Sequence, residues 1–402
     1  MEKVAPRPGI DYRDKAFVRD PFSFYKKMRR DYPVCLLGED GNHFAISKFD
    51  ISKQILGDYE TFLSGSDVIG RPAWVEDKFK RDLFILTMEP PTHTKYRALV
   101  NKAFMPKVLA SLEPFIRTAA EGLVAQLAGR SRFDFLGEFS LPYAVAIIGQ
   151  ITGDQSQSVE QLRAWTRLVD QNSYMTPDQA HITALQDATM RQYAVYDRII
   201  AERRRNPKPD LLTELLEAEI GGERLSDLDI RAALDLFVSA GFQSSALLLT
   251  NSVRILARRP DLLEILKNNP EHIPSFIDEV LRFDSPAQSL LRHAAFDTEV
   301  NGIFVPKGAL ISIFIGSANR DEERFVHPEE FDIFRKDIKK QIGFGHGVHT
   351  CIGAALSRLE VRVAITAIVE NFAGIECVDE SELNWTNTLS IRAIDALPIR
   401  FI

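Results

Sequence analysis

The sequence predicts a mainly α-helical protein with a minor β part. Three observations carry that expectation. From about Pro106 to Pro270 the chain is rich in Leu, Ala, Arg and Glu, with apolar residues at helical spacing. Short apolar runs separated by turn residues occur near 34–46 and again near 298–305. The final stretch, Trp385 to Phe401, reads as short terminal strands.

Taken in order, Val34-Cys35-Leu36-Leu37 and His43-Phe44-Ala45-Ile46 flank Glu39-Asp40-Gly41-Asn42, which predicts a hairpin. Pro90-Pro91-Thr92 starts a helix, because proline is tolerated in a first turn, and it sets His93 and Arg97 one turn apart. Asn206-Pro207-Lys208-Pro209 and Gly221-Gly222 punctuate the long helical region. Its longest apolar segment runs from Ser226 to Arg259, with a capping box at Ser226-x-x-Asp229 and a stop at Pro260. At ~1.5 Å per residue it is roughly 50 Å long, and its broad apolar face predicts burial. Ala240-Gly241 at its centre leaves little side-chain bulk. Further on, Asn301-Gly302 between Thr298-Glu299-Val300 and Ile303-Phe304-Val305 suits a type I′ hairpin turn. A strand is expected over Ala309–Ile315, and a helix opening near Cys351 and running to about Phe372.

The composition excludes several classes. A chain of 402 residues, 45% hydrophobic and 26% charged, is ordinary for a globular protein, and no linker or repeat divides it, so a single domain over 1–402 is expected. A net charge of −7 argues against a nucleic-acid binder, which would need a basic face. Three scattered cysteines form no disulfide framework and fit a reducing cytoplasm. Met1-Glu2-Lys3-Val4-Ala5-Pro6 has no apolar leader, and no unbroken run of ~18 apolar residues suggests a membrane anchor.

The chemistry concentrates in Gly343-Phe344-Gly345-His346-Gly347-Val348-His349-Thr350-Cys351-Ile352-Gly353. A helix N-terminus offers unpaired N–H groups that lower a thiol pKa, and the glycines would let something broad and flat lie against the backbone. A zinc site would need further paired ligands nearby, and a phosphate loop needs a different glycine spacing. No Cys-x-x-Cys-His occurs for covalent haem. An inert buried thiol is the plain reading of Cys35 and Cys377, which have no such surroundings.

The run closely resembles the haem-binding loop of the cytochrome P-450 superfamily, Phe-Gly-x-Gly-x-His-x-Cys-x-Gly. Phe344, Gly345, Gly347, His349, Cys351 and Gly353 fill its fixed positions. The resemblance implies the cytochrome P-450 fold with a long central helix over haem b. It makes Cys351 the axial thiolate of the iron, a ligand that favours O–O cleavage. It extends to Glu279-x-x-Arg282 and Arg335, expected as a buried charge network, and to Ala318-Asn319-Arg320-Asp321, expected to satisfy turn backbone. His93, Arg97, Arg292 and His349 match the partners of the haem propionates. Ala240 and Gly241 would admit the cofactor and dioxygen. The substrate wall would draw on the loop from about Ser66 to Phe84, Val238, Phe242, Ala287, Gln288, Ser289, Leu290, Leu389 and Ser390.

The chain departs from the family in one place. The usual Ala/Gly-Gly-x-Asp/Glu-Thr-Thr/Ser becomes Ala240-Gly241-Phe242-Gln243-Ser244-Ser245. The family uses the acid–alcohol pair to deliver protons. Gln243 cannot titrate, so Ser244 is expected to hold a water relay. The resemblance implies a soluble, cytoplasmic, monomeric monooxygenase of bacterial type. It would hydroxylate or epoxidise an apolar organic substrate, in keeping with secondary metabolism. It would use O2 and electrons from NAD(P)H through a ferredoxin or flavodoxin and its reductase. Oxidative coupling, desaturation or a peroxide-driven reaction stays open, as does haem binding without turnover. Arg335, Lys336, Lys339 and Lys340 suggest a positive patch for an acidic electron donor.

Overall fold

The structure is a computed structural model, and it describes residues 5–9, 14–37, 41–65, 84–154, 158–164, 179–387 and 389–402. Helices dominate, as the residue spacing predicts. The central one, Asp227–Arg258, begins at a formed capping box. Ser226 accepts from the Asp229 amide, and the Asp229 carboxylate accepts from the Ser226 amide. This helix is long and apolar enough to cross a bilayer, but 67% of its most apolar stretch is buried inside the protein. It is the core around which the others pack. Leu141–Thr152 lies along one flank, and Ala354–Asn371, Gln179–Arg205 and Ile273–Phe283 pack on it elsewhere.

The β part sits to one side. Five strands pair in the order Val34–Leu36, His43–Ile46, Leu310–Ile313, Leu290–Ala294, Phe62–Leu63. His43–Ile46 and Leu310–Ile313 pair in parallel, with Leu310 opposite His43, and the remaining pairs are antiparallel. Asn301 and Gly302 both take positive φ, 50° and 78°, as a type I′ turn requires. Trp385–Asn387 and Arg392–Ile394 form a two-stranded ribbon, and Pro398–Phe401 pairs with Ile375–Cys377 and Phe133–Asp134.

Two boundaries differ from expectation. The strand predicted to reach Ile315 ends at Ile313, and Ile315–Ala318 is a helical turn. Cys351 does not open the following helix. Gly353 is its N-cap and Ala354 its first residue. The thiol therefore belongs to the loop, three residues ahead of the helix.

Candidate active site

The loop closes on itself through its backbone. The Cys351 amide donates to the Phe344 carbonyl at 2.9 Å, and Gly345 and Gly347 each take a φ of 77°, which only glycine adopts without strain. The reason for Gly347 differs from the one expected. A Cβ there would collide with the Leu56 carbonyl at the end of helix Phe49–Gly57, so this glycine admits a neighbouring helix. At Gly345 a Cβ would meet Leu290 at 3.4 Å, which puts the half-buried Leu290 over the loop.

Protein crowds Cys351 on most sides, yet its side chain keeps an accessible surface, as a residue on the wall of a hollow does. Burial pushes its thiol up. The amides of Gly353 and Ala354 and the charges of Arg97 and Arg358 pull it back only in part. The loop alone does not secure a thiolate; a cation bound to the sulfur would.

The central helix shows the same sign of a hollow. Ala240 lies at its middle, between buried turns, and is exposed. At 3.6 residues per turn, Gln243 and Ser244 share its face, and both are half-buried. Val238 and Phe242 lie on the opposite face and are 0% and 1% exposed, so the substrate wall expected of them is instead packed core. A Cβ on Gly241 would meet Ile148 Cδ1 of Leu141–Thr152 at 3.2 Å. Gly241 serves helix packing, and Ala240 alone supplies the open side.

A cluster of nitrogen donors lies near the loop. His93 and His349 face each other with ring centroids 4.3 Å apart. Arg97, one turn beyond His93, donates to the Thr350 carbonyl beside Cys351. Arg292 is buried on the strand Leu290–Ala294 and donates to the Leu291 carbonyl at 2.7 Å. Burial holds Arg292 down to about 10, with Glu89 opposing. Burial, with His349 and Arg97, holds His93 down to about 4. His93 is 1% exposed, and neither ring nitrogen has a partner. Two unsatisfied buried nitrogens among further cations form an incomplete anion site. Sequence reading missed Glu89, which accepts from the Ser64 amide and lies 3.3 Å from His349 Nε2. Its only signal was its place just before Pro90-Pro91.

A thiol on an open wall and an anion site beside it are the donors that a flat dianionic metallocofactor needs. A family model described as cytochrome P450 (here written P-450) matches residues 15–392. The chain belongs to the cytochrome P-450 family. It is 35% identical over 379 residues to a Bacillus subtilis cytochrome P-450 named YjiB, covering 92% of each chain. The solved cytochrome P-450 CYP109Q5 of Chondromyces apiculatus superposes with a TM-score of 0.87 at 30% identity, covering 98% of both chains. CYP109E1 of Bacillus megaterium, solved with corticosterone, gives 0.84 at 29%, covering 96% of this chain and 100% of that one. Cytochromes P-450 are monooxygenases that bind haem. The residues present fit that group: an accessible thiol for the iron, and His93, Arg97, Arg292 and His349 for its carboxylates.

Elsewhere this cytochrome P-450 pairs its buried charges. Glu279 and Arg282 are 0% exposed and joined by two bonds of 2.7 and 2.8 Å. Arg282 also donates to the carbonyls of Asn319, Pro328 and Glu330, and the Asp332 amide donates to Glu279. Arg335 stands 3.5 Å from Glu279 and donates to carbonyls of Val326, His327 and Glu330. It is buried, so it leaves the expected positive patch to Lys336, Lys339 and Lys340, which are exposed. Asn319 accepts from the Ile342 amide, and Asp321 from those of Phe49 and Glu323, as expected of turn-binding side chains.

The rest of the expected wall divides. Ala287 and Leu290 are half-buried. Ser289 donates to the Leu389 carbonyl at 2.9 Å, and the Gln288 amide to the Ser390 carbonyl at 2.6 Å. Gln288 points at Gly316, and Leu389 packs with Phe17, Tyr25 and Phe314. Gln288, Ser289 and Leu389 are buried, so they tie two strand ends together instead of offering side chains to a ligand. The stretch 66–83 lies outside the described residues.

Proposed function

We propose that this cytochrome P-450 is one domain, 1–402, that binds haem b through Cys351 and hydroxylates or epoxidises an apolar organic molecule held beside Ala240. The observation that carries it is the accessible surface of Cys351 and Ala240 within the fold, next to a buried histidine whose ring nitrogens have no hydrogen-bond partner. In this reading both surfaces face one hollow. Haem supplies the electron transfer and dioxygen activation that no side chain provides.

The chain's own residues do the rest. His93, Arg97, Arg292 and His349 neutralise the carboxylates and fix the group in one orientation. His93, neutral while alone, offers an anion its one ring N–H, or both once the anion makes it a cation. Ala240 leaves room on the central helix. Ser244 donates to the Ala240 carbonyl at 2.6 Å, and turning away from it frees the hydroxyl to hold a water. Gln243 offers an amide that orients this water without titrating. Electrons come from a ferredoxin or flavodoxin with its NAD(P)H-dependent reductase, drawn to Lys336, Lys339 and Lys340. The steroid bound by CYP109E1 supports a large apolar ligand, and a role in secondary metabolism and a monomeric cytoplasmic protein fit this reading.

The test is spectroscopic. The reduced, haem-loaded protein should show, with carbon monoxide, the red-shifted Soret band for which the family is named, and Cys351→Ser should abolish it. An apolar compound library should then shift the Soret band of the oxidised protein, and ferredoxin, reductase and NADPH should convert the hits to oxygenated products. A loaded, folded protein without the carbon monoxide band sinks the assignment.

A further inference from the structure

One charged pair at the loop enters the chemistry above only through the pull of Arg358 on the Cys351 thiol. Arg358 lies one turn into the helix Ala354–Asn371. Its guanidinium carbon stands 4.6 Å from the centroid of the Phe344 ring. Its Nε donates to Asp278 Oδ1 at 2.9 Å, and an Nη reaches the Ala354 carbonyl at 3.5 Å. Phe344 is the residue whose carbonyl accepts the Cys351 amide at 2.9 Å. The cation therefore rests on a ring covalently and hydrogen-bonded to the thiol loop. Asp278 comes from the helix Ile273–Phe283, so its charge is placed independently of the loop.

The pair is poorly suited to a purely stabilising role. The Arg358 side chain is 40% exposed, on the wall of a groove of about 470 Å³ that it shares with Phe104, Ile277, Leu359 and Arg362. Asp278 is 14% exposed, and an ion pair with one member as open to solvent as Arg358 adds little to stability. A charge near a redox centre still acts on the electron affinity of that centre. A cation favours the state carrying one more electron, and an anion disfavours it.

We infer that Arg358 and Asp278 are an opposed charge couple that sets the electron affinity of the Cys351 site, with Arg358 raising it through the Phe344 face and Asp278 holding it down. Arg358 is a positioning residue here, since it touches Phe344 and not the sulfur. The inference rests on the thiolate reading, and its sign follows from charge alone. Reduction adds one electron to the iron and breaks no bond. The donor in the test is dithionite.

The experiment measures the reduction potential of the haem-loaded, substrate-free protein by dye-mediated titration, for wild type, Arg358→Gln, Asp278→Asn, the double variant and Arg358→Lys. Arg358→Gln should lower the equilibrium constant for reduction by about threefold or more, and Asp278→Asn should raise it by a smaller factor, because Asp278 stands behind Arg358. The double variant should return to within about twofold of wild type, and Arg358→Lys should keep most of the effect of the charge. Loss of a merely structural salt bridge predicts the same direction for both single variants, or no change in either. Either result overturns the inference. The carbon monoxide band is recorded on every sample. Its absence from wild type would fail the thiolate assignment, whereas a normal band with same-sign or null shifts would fail the charge couple alone.

Discussion

Two buried polar clusters in this protein look alike in composition and differ in what they lack. Around Glu279 every charge is answered. Arg282 meets the carboxylate and the carbonyls of Asn319, Pro328 and Glu330, and Arg335 faces the same carboxylate, shares the Glu330 carbonyl and adds those of Val326 and His327. Around His93 the sum is unbalanced: among the described residues, cations and histidines outnumber the one carboxylate, Glu89, and both nitrogens of a 1%-exposed ring lack a hydrogen-bond partner. The first cluster holds the fold. The second is organised for a guest that brings negative charge. Burial alone does not separate them; the balance of charge does, because Arg335 Nε, the one side-chain nitrogen of Arg282 and Arg335 without a hydrogen bond, still lies 3.5 Å from the Glu279 carboxylate.

The largest effect should come from breaking the complete cluster. Glu279→Ala leaves two buried guanidinium groups without their carboxylate and should cost about 3–5 kcal/mol, read as lost folded protein in a denaturant titration of the ligand-free chain. A loss under about 1 kcal/mol would mean that the carbonyls alone suffice.

Glu360 offers an intermediate case. It is 5% exposed with a hydrogen bond from Ser245, and burial raises its carboxyl to about 7. The sign follows from linkage. Between its ordinary range and about 7 the folded protein holds a proton that the unfolded chain has released. The stability present below the ordinary range is therefore lost as pH rises through about 7. Glu360→Gln should flatten that fall and gain up to roughly 2–3 kcal/mol at pH ~8, with no gain at pH ~4. Thermal melts across that range check it, and a pH-independent difference would refute it.

The incomplete cluster should respond in the opposite sense to the complete one. His93→Phe removes two unsatisfied nitrogens, so the ligand-free chain should lose no stability. Haem retention, followed by transfer to apomyoglobin, should weaken about tenfold. Equal damage to both would place His93 with Glu279. The smallest change is expected from Ser244→Ala. The fold and haem content should hold while the share of NADPH electrons ending in product falls severalfold, against peroxide formed. Unchanged coupling would remove the relay.

The local elements were legible in the chain. Ser226 and Asp229 gave the central helix its start, Asn301-Gly302 its hairpin turn, and the Phe344–Gly353 pattern the position of the thiol. Glu279-x-x-Arg282 was a weak signal alone and gained meaning only with Arg335, 53 residues further on, which the resemblance supplied. The substrate wall was the least legible part. Val238 and Phe242 are as apolar as any pocket residue, and only their phase relative to Ala240 sends them to the core.

Sequence alone thus determined that the stretch from about Pro106 to Pro270 is mainly helical, where its central helix starts, where the Asn301-Gly302 turn falls and which sulfur is singular, because these follow from propensity, capping and spacing between near neighbours. Tertiary structure decided which glycines serve packing, which arginine leaves the surface, that Glu89 stands by His349, and that His93 is left without a partner. Those outcomes depend on what residues far along the chain bring to the same place, and burial and hydrogen-bond completeness exist only once the chain has closed on itself.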